Sequence, residues 1–199
     1  FQQFSASVTA KGVEDTAFYR YFPLSSLNEV GGEPDHFGFE VDEFHALSAD
    51  RALRWPHTML ATSTHDNKRS EDVRNRIDVL SEMPNDWVLA LTRWHGLCRD
   101  MRRRLEAEDS PSRADEYLFY QTLLGTLPVG GIDEATMPAF ADRLWQYMQK
   151  AAREAKLRTR WTQPDAHYEA ALEGFVRGVL RNMEEGACLS DMQLFADRL

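Results

Sequence analysis

From Pro84 onward, apolar residues return at steps of three and four, the period that gathers them on one face of an α-helix. The first stripe opens at Pro84, a residue suited to a first helical turn. It runs through Trp87, Leu91, Trp94, Cys98, Met101 and Leu105, a single face about five turns long. A second uses Tyr117, Tyr120, Gln121 and Leu124 and stops near Gly125 and Pro128. A third uses Phe140, Leu144, Tyr147, Met148, Ala151 and Ala155, and a fourth opens at Pro164 with Tyr168, Leu172, Phe175, Val179 and Met183 inward. Joined by turns that carry Gly and Pro, these stripes predict a helical bundle over residues 84–199.

The first third is less regular. After a break at Lys11-Gly12, apolar residues at Val13, Ala17, Phe18 and Tyr21 suit a helix. Gly31, Gly32 and Pro34 interrupt the chain, and a second helix is expected from Glu40 to Arg54, presenting Phe44, Leu47 and Leu53 and ended by Pro56. The run Met59–Thr62 reads as a short buried strand that empties into a polar loop, Ser63–Ser70. Ser70 then suits an N-cap, with Glu71 and Asp72 favoured by the helix dipole and Val73, Ile77 and Leu80 as the inner stripe. One to three short strands are expected in all, confined to the stretch before about Ser70. No internal repeat or low-complexity tract is visible.

Bulk composition narrows the function classes. With 43% hydrophobic residues among 199, the chain can bury a real core. A net charge of −9 disfavours a nucleic-acid surface, which calls for a basic patch. The cluster Arg99, Arg102, Arg103 and Arg104 reads as a solvated helix face. Cys98 and Cys188 lie far apart without metal-ligand spacing, so the expectation is two buried thiols in a reducing cytosol and no bound metal. No apolar run approaches a membrane span and no charged-then-apolar leader opens the chain, so a cytoplasmic protein without a membrane partner is expected.

The loop Ser63–Ser70, STHDNKRS, is the most informative short segment, because a strand that empties into a loop bearing a carboxylate is how a β/α barrel presents catalytic groups. Upstream stand AKGVEDTAFYRY at Ala10–Tyr21 and SLNEVGG at Ser26–Gly32, and KRSEDVR at Lys68–Arg74 follows. Together these segments resemble the maltooligosyl trehalose synthase family, within glycoside hydrolase family 13 of the α-amylase clan. The likeness is strongest from Gln2 to Asp86 and continues more loosely through Asp115–Leu123 and Ala151–Lys156. What it implies is a mainly α chain: a small incomplete piece of a (β/α)8 barrel over residues 1–83, covering the sixth-to-seventh strand region, followed by a helical bundle insertion over 84–199. Since Phe1 falls within what the family treats as continuous sequence, the chain is expected to be a fragment whose partner is the remainder of its own parent chain.

The resemblance also implies a reaction. Retaining glycosyl transfer needs a carboxylate nucleophile and a carboxylic acid about 5 Å apart, and the clan adds a third carboxylate that favours ring distortion and positive charge. Asp66 matches that third group, at the end of the seventh strand, with His65 bonding the same sugar. The other two carboxylates cannot be located in this chain, and Glu14, Asp15 and Glu29 are not promoted to those roles. Glu14 and Glu29 are expected to brace loops or accept hydrogen bonds from sugar hydroxyls. Lys68, on the same loop, and Lys11, after the preceding strand, would hold the freed end glucose of the maltooligosaccharide while it turns over, although an ion pair of Lys68 with Glu71 or Asp72 is nearly as good a reading. Asn67 stands where the family usually has threonine, a change expected to matter little. No cofactor is required by this chemistry.

The implied activity is that of a glucosylmutase, which turns the reducing-end α-1,4 linkage into an α,α-1,1 linkage, with the isolated fragment itself inactive. The alternatives are another α-glucan transferase or hydrolase of the clan, or a non-catalytic helical interaction or glycan-binding module. Aromatic residues at helical spacing are read as core rather than sugar platforms. Trp55 and Trp161 lie outside the stripes, where capping a core is commoner than stacking on a pyranose.

Overall fold

A computed structural model of the chain describes residues 1–33, 35–105, 108–181 and 188–199. Helices α1 (Gln2–Thr9), α2 (Val41–Arg54), α3 (Glu71–Asp78) and α4 (Pro84–Leu97) are followed by two strands, β1 (Arg103–Leu105) and β2 (Glu108–Ser110), paired antiparallel. Helices α5 (Arg113–Thr126), α6 (Met137–Ala155), α7 (Ala166–Arg181) and α8 (Cys188–Ala196) complete the chain. The mainly α expectation therefore holds.

Helix α5 is the hub. Its N-cap Ser112 accepts the Asp115 N–H at 3.1 Å, which satisfies one of the donors that a first turn leaves open. Leu118, Phe119, Tyr120, Gln121, Leu123 and Leu124 are all buried, since α5 packs against α3, α6 and α8 at once. The approach to α3 is close: a Cβ on Gly125 would lie 2.8 Å from Val73 Cγ1 and 3.2 Å from Ile77 Cδ1, so only glycine lets the two helices meet there. Helix α4 brings Trp87 and Trp94 into the core, where both rings pack on Phe195 of α8. Phe18, Tyr19, Phe22 and Leu24 share the same core with Ile77, Leu80, Phe119 and Phe175, so the apolar interior runs continuously across residue 83.

Several expectations need correction. The two short strands occur at residues 103–110 and not before Ser70. Residues Met59–Thr62 form no strand; Met59 is 95% exposed, because no second strand among the described residues pairs with this run and an unpaired strand has no ladder to hold it. The segment Val13–Tyr21 is not one α-helix but a π turn at Ala10–Glu14 and a 3-10 turn at Ala17–Tyr19. Helix α2 forms as expected, yet it buries nothing: Phe44, Leu47 and Leu53 are all exposed. Amphipathic spacing specifies which face seeks cover, not what covers it.

The first stripe after Pro84 also stops early, at Leu97, because the chain turns through a 3-10 step at Arg99–Met101 and into β1. Arg102 is consequently not part of a solvated face. Its guanidinium donates to the His95 carbonyl at 2.8 Å and to Glu116 Oε1 at 3.0 Å. Cys98 and Cys188 are not free thiols: they form a disulfide that ties the end of α4 to the start of α8. Sequence separation alone hid this pairing, since the helical packing is what brings the two positions together. Trp55 and Trp161 cap no core and are exposed; the Trp161 indole donates to Glu154 Oε1 at 2.9 Å with the Arg153 guanidinium over its ring. The inward Met183 lies outside the described residues.

Candidate functional site

The loop that bears His65 and Asp66 is held by a segment folded onto α5. Phe18, Tyr19, Phe22 and Leu24 anchor that segment in the core. The Asn28 amide donates to the carbonyls of Phe18 and Tyr21 at 2.6 and 2.8 Å, and Gln121 Oε1 accepts the Ser25 N–H at 2.7 Å. These bonds lock residues 18–28, and the chain reverses at Gly31-Gly32, where Gly31 has φ +76° and a Cβ on Gly32 would lie 2.8 Å from the carbonyls of Leu27 and Glu29. Glu29 is thereby aimed at the loop.

The Glu29 carboxylate accepts the N–H of Val30 at 2.8 Å, of Lys68 at 2.9 Å and of Arg69 at 3.4 Å, and meets the Arg74 guanidinium at 3.3 Å. Burial works to raise its pKa, but the N–H groups of Val30 and Lys68, the Asn67 side chain and the Arg69 N–H outweigh burial and hold it below the usual carboxylate range. Glu29 therefore braces a loop, the first of the two roles expected of it. Arg69 leaves the loop in the other direction, donating to the Ser25 carbonyl at 3.2 Å and to the Tyr147 hydroxyl of α6, with its guanidinium over the same ring.

Two of the expected site residues meet. Lys11 donates to the Asp15 carboxylate, and Lys68 Nζ approaches the other oxygen of that carboxylate at 3.6 Å. Lys68 thus pairs with Asp15, a partner the sequence reading did not foresee, and not with Glu71 or Asp72; Glu71 accepts the Thr62 hydroxyl instead, at 2.7 Å. The Lys11 hydrogen bond leads the forces that hold Asp15 below its ordinary pKa, against a burial cost. His65 and Asp66 are exposed on the turn, where the Asp66 N–H reaches the Thr64 hydroxyl at 3.4 Å and Asn67 Oδ1 accepts the Thr64 N–H. Glu14 is half-buried on the same segment as Lys11, with no hydrogen bond to its carboxylate among the described residues. Asn67 keeps a defined role as the turn's internal acceptor.

The remaining buried carboxylates belong to the helical packing. Glu116 accepts Tyr120 Oη at 2.6 Å and pairs with His95 and Arg102 at 2.8 and 3.0 Å. Asp115 accepts the hydroxyls of Ser112 and Tyr168, and burial raises its pKa. Glu169 receives Arg153 at 2.6 and 2.8 Å, Thr159 Oγ1 at 2.6 Å and Gln149 at 2.9 Å. Chiefly through Arg153, its pKa falls to about 2. A group held below its unfolded value stabilises the fold above that value and loses the contribution as pH falls through the folded one. We therefore predict that Glu169→Gln removes roughly 2 kcal/mol near neutral pH, after allowance for solvent screening, and that the difference from the unmodified chain closes between pH 4.5 and about 2, as urea unfolding at a series of pH values would record.

Among the described residues, no group of three or more His, Cys, Asp or Glu is arranged to hold a metal ion. No helix among them is long and apolar enough to cross a membrane.

No protein-family model matches the chain. A Mycobacterium tuberculosis protein bearing the maltooligosyl trehalose synthase name is 40% identical over 179 residues, 90% of this chain. The structure of maltooligosyltrehalose synthase from Arthrobacter ramosus superposes on all of this chain with a TM-score of 0.83 at 38% identity. This chain matches a segment of maltooligosyl trehalose synthase. A Sulfolobus tokodaii structure of the same name superposes on 99% of the chain with a TM-score of 0.84 at 32% identity. The chain spans 22% of the length of the mycobacterial synthase, 23% of the Arthrobacter synthase and 25% of the Sulfolobus one. Likeness along nearly the whole chain means that the comparison takes in the bracing segment, the His65–Asp66 loop and the helices together.

Proposed function

We propose that this chain supplies one wall of the active site of a maltooligosyl trehalose synthase, an α-amylase-clan enzyme of glycoside hydrolase family 13 that converts the reducing-end α-1,4 linkage of a maltooligosaccharide to α,α-1,1. The observation that carries the reading is the meeting of Lys11 and Lys68 at Asp15, beside the loop that bears His65 and Asp66. Two segments distant in sequence thus bring both ammonium groups to one side of the loop, which supports a shared role for them.

In this reading Asp66 faces the oxocarbenium-like centre and stabilises its charge, His65 bonds the sugar at that position, and the ammonium groups of Lys11 and Lys68 hold the freed glucose for rejoining. Glu14, on the Lys11 segment, is assigned to the same sugar. The nucleophile and the acid-base carboxylate come from the remainder of the parent chain, which also covers the exposed apolar residues of α2 and of Met59 and Leu60. Residues 1–83 are assigned to the barrel piece, from the sixth-to-seventh strand region, and residues 84–199 to the helical domain, the two sharing one apolar core and the first carrying no strand among its described residues.

The test compares the purified 199-residue chain with the full-length protein that carries it. With maltopentaose, the full-length protein is expected to consume reducing ends without shortening the oligomer, and the chain alone to give no turnover. Shortened or redistributed α-1,4 chains would assign another clan activity. No turnover by either protein would leave a binding module, and sustained conversion by the chain alone would overturn the placement of the nucleophile.

A further inference from the structure

The loop from Thr62 to Arg69 is exposed along most of its length, yet both of its ends are tied to one pair of side chains. Arg74, on the first turn of α3, donates to the Thr62 carbonyl at the loop's entry and to the Arg69 carbonyl at 3.1 Å at its exit. The same guanidinium is held at 3.3 Å by Glu29, whose carboxylate captures the N–H groups of Lys68 and Arg69. The two side chains are only 16% and 18% exposed, so water competes weakly for these bonds. Between the tied ends, the loop is shaped mainly by the turn that Thr64 and Asn67 close on each other. Glu29 is fixed in turn to the core through the locked segment at Asn28 and Ser25. Arg69 adds a separate tie at the exit, to the Ser25 carbonyl and Tyr147, but Glu29 and Arg74 are the pair that joins both ends of the Asp66 loop to the core segment.

We propose that Glu29 and Arg74 are positioning residues for glucosyl transfer, setting the His65–Asp66 loop at the reacting sugar; this rests on the reading of Asp66 given above. Neither side chain needs to touch substrate. Displacing a group that acts in the transition state by about 1 Å can cost about 100-fold in rate. Glu29→Gln keeps one acceptor but loses the charge that holds Arg74, and Arg74→Lys keeps the charge but cannot reach both carbonyls and the carboxylate together.

The experiment uses the full-length protein. Glu29→Gln and Arg74→Lys are each expected to lower kcat about 10- to 100-fold with KM changed less than about threefold, and to speed amide hydrogen exchange at Lys68 and Arg69 while leaving the melting of α5 to α7 unaltered. In an Asp66→Asn background, Glu29→Gln should cost almost nothing more, because the loop then positions a group that no longer acts. Unchanged kcat in both variants, or an equal further loss in the Asp66→Asn background, would overturn the inference. If Asp66→Asn alone proves fully active, the functional reading falls, and the positioning role falls with it even where the exchange result shows the loop to be clamped. If Glu29→Gln fails to fold, Arg74→Lys decides the matter by the same criteria.

Discussion

Asp66→Asn in the full-length protein is expected to lower turnover of maltopentaose by about three orders of magnitude, or about 4 kcal/mol of transition-state stabilisation, while leaving folding intact. The exposed position of Asp66 on its turn explains why folding is spared. No hydrogen bond in the described chain depends on its carboxylate, and the backbone N–H that shapes the turn is kept in the amide variant. On the proposed reading, what asparagine cannot supply is negative charge beside a developing oxocarbenium ion. Lys68→Ala should do less, about 1–3 kcal/mol, and should raise hydrolysis relative to rearrangement, because on the proposed reading it removes one donor to the migrating glucose. A normal rate for Asp66→Asn, measured by loss of reducing ends, would remove the active-site assignment.

The second large effect concerns stability. The Cys98–Cys188 bridge joins positions 90 residues apart, and both cysteines are buried between α4 and α8. Closing a loop of that length restrains the unfolded chain by about 4–5 kcal/mol in the chain-entropy account, a large part of what a domain of this size possesses. Adding a reductant, or replacing Cys98→Ala together with Cys188→Ala, is therefore expected to lower the urea midpoint markedly and to loosen α8 first. Beyond the bridge, α8 is held to its neighbours by Trp94, whose indole donates to Asp191 at 2.6 Å, by Arg93 on the same carboxylate and by the Phe195 ring contacts. Coincident unfolding curves with and without reductant would show that those contacts alone set the stability.

Periodicity was most reliable where one helix face meets one core. Trp87 and Trp94 of α4, Leu144 and Met148 of α6, and Leu172, Phe175 and Val179 of α7 are all buried as their spacing demands. It was least reliable where burial depends on a neighbour. Helix α5 is buried nearly all round because α3, α6 and α8 surround it, and α2 is exposed along the same kind of stripe because no described element packs closely enough to bury it. The short helix α8 carries Leu189, Met192 and Phe195 at helical spacing, a signal present in the sequence but too brief to stand out.

For the candidate site, the motif types and their order were legible in the sequence, since a His-Asp turn, two lysines and a glycine-linked glutamate are local facts of residue chemistry. Local propensity also determined most helices and their inner faces, because an amphipathic stripe is written within a few turns. Only the tertiary structure decided that Lys11 and Lys68 share Asp15, that Glu29 and Arg74 tie both ends of one loop, and that Cys98 meets Cys188. Those pairings join residues far apart along the chain, and no local pattern encodes which distant partner arrives. Packing of α5 against its neighbours sets the distances, and charges and thiols pair according to what that packing brings within reach.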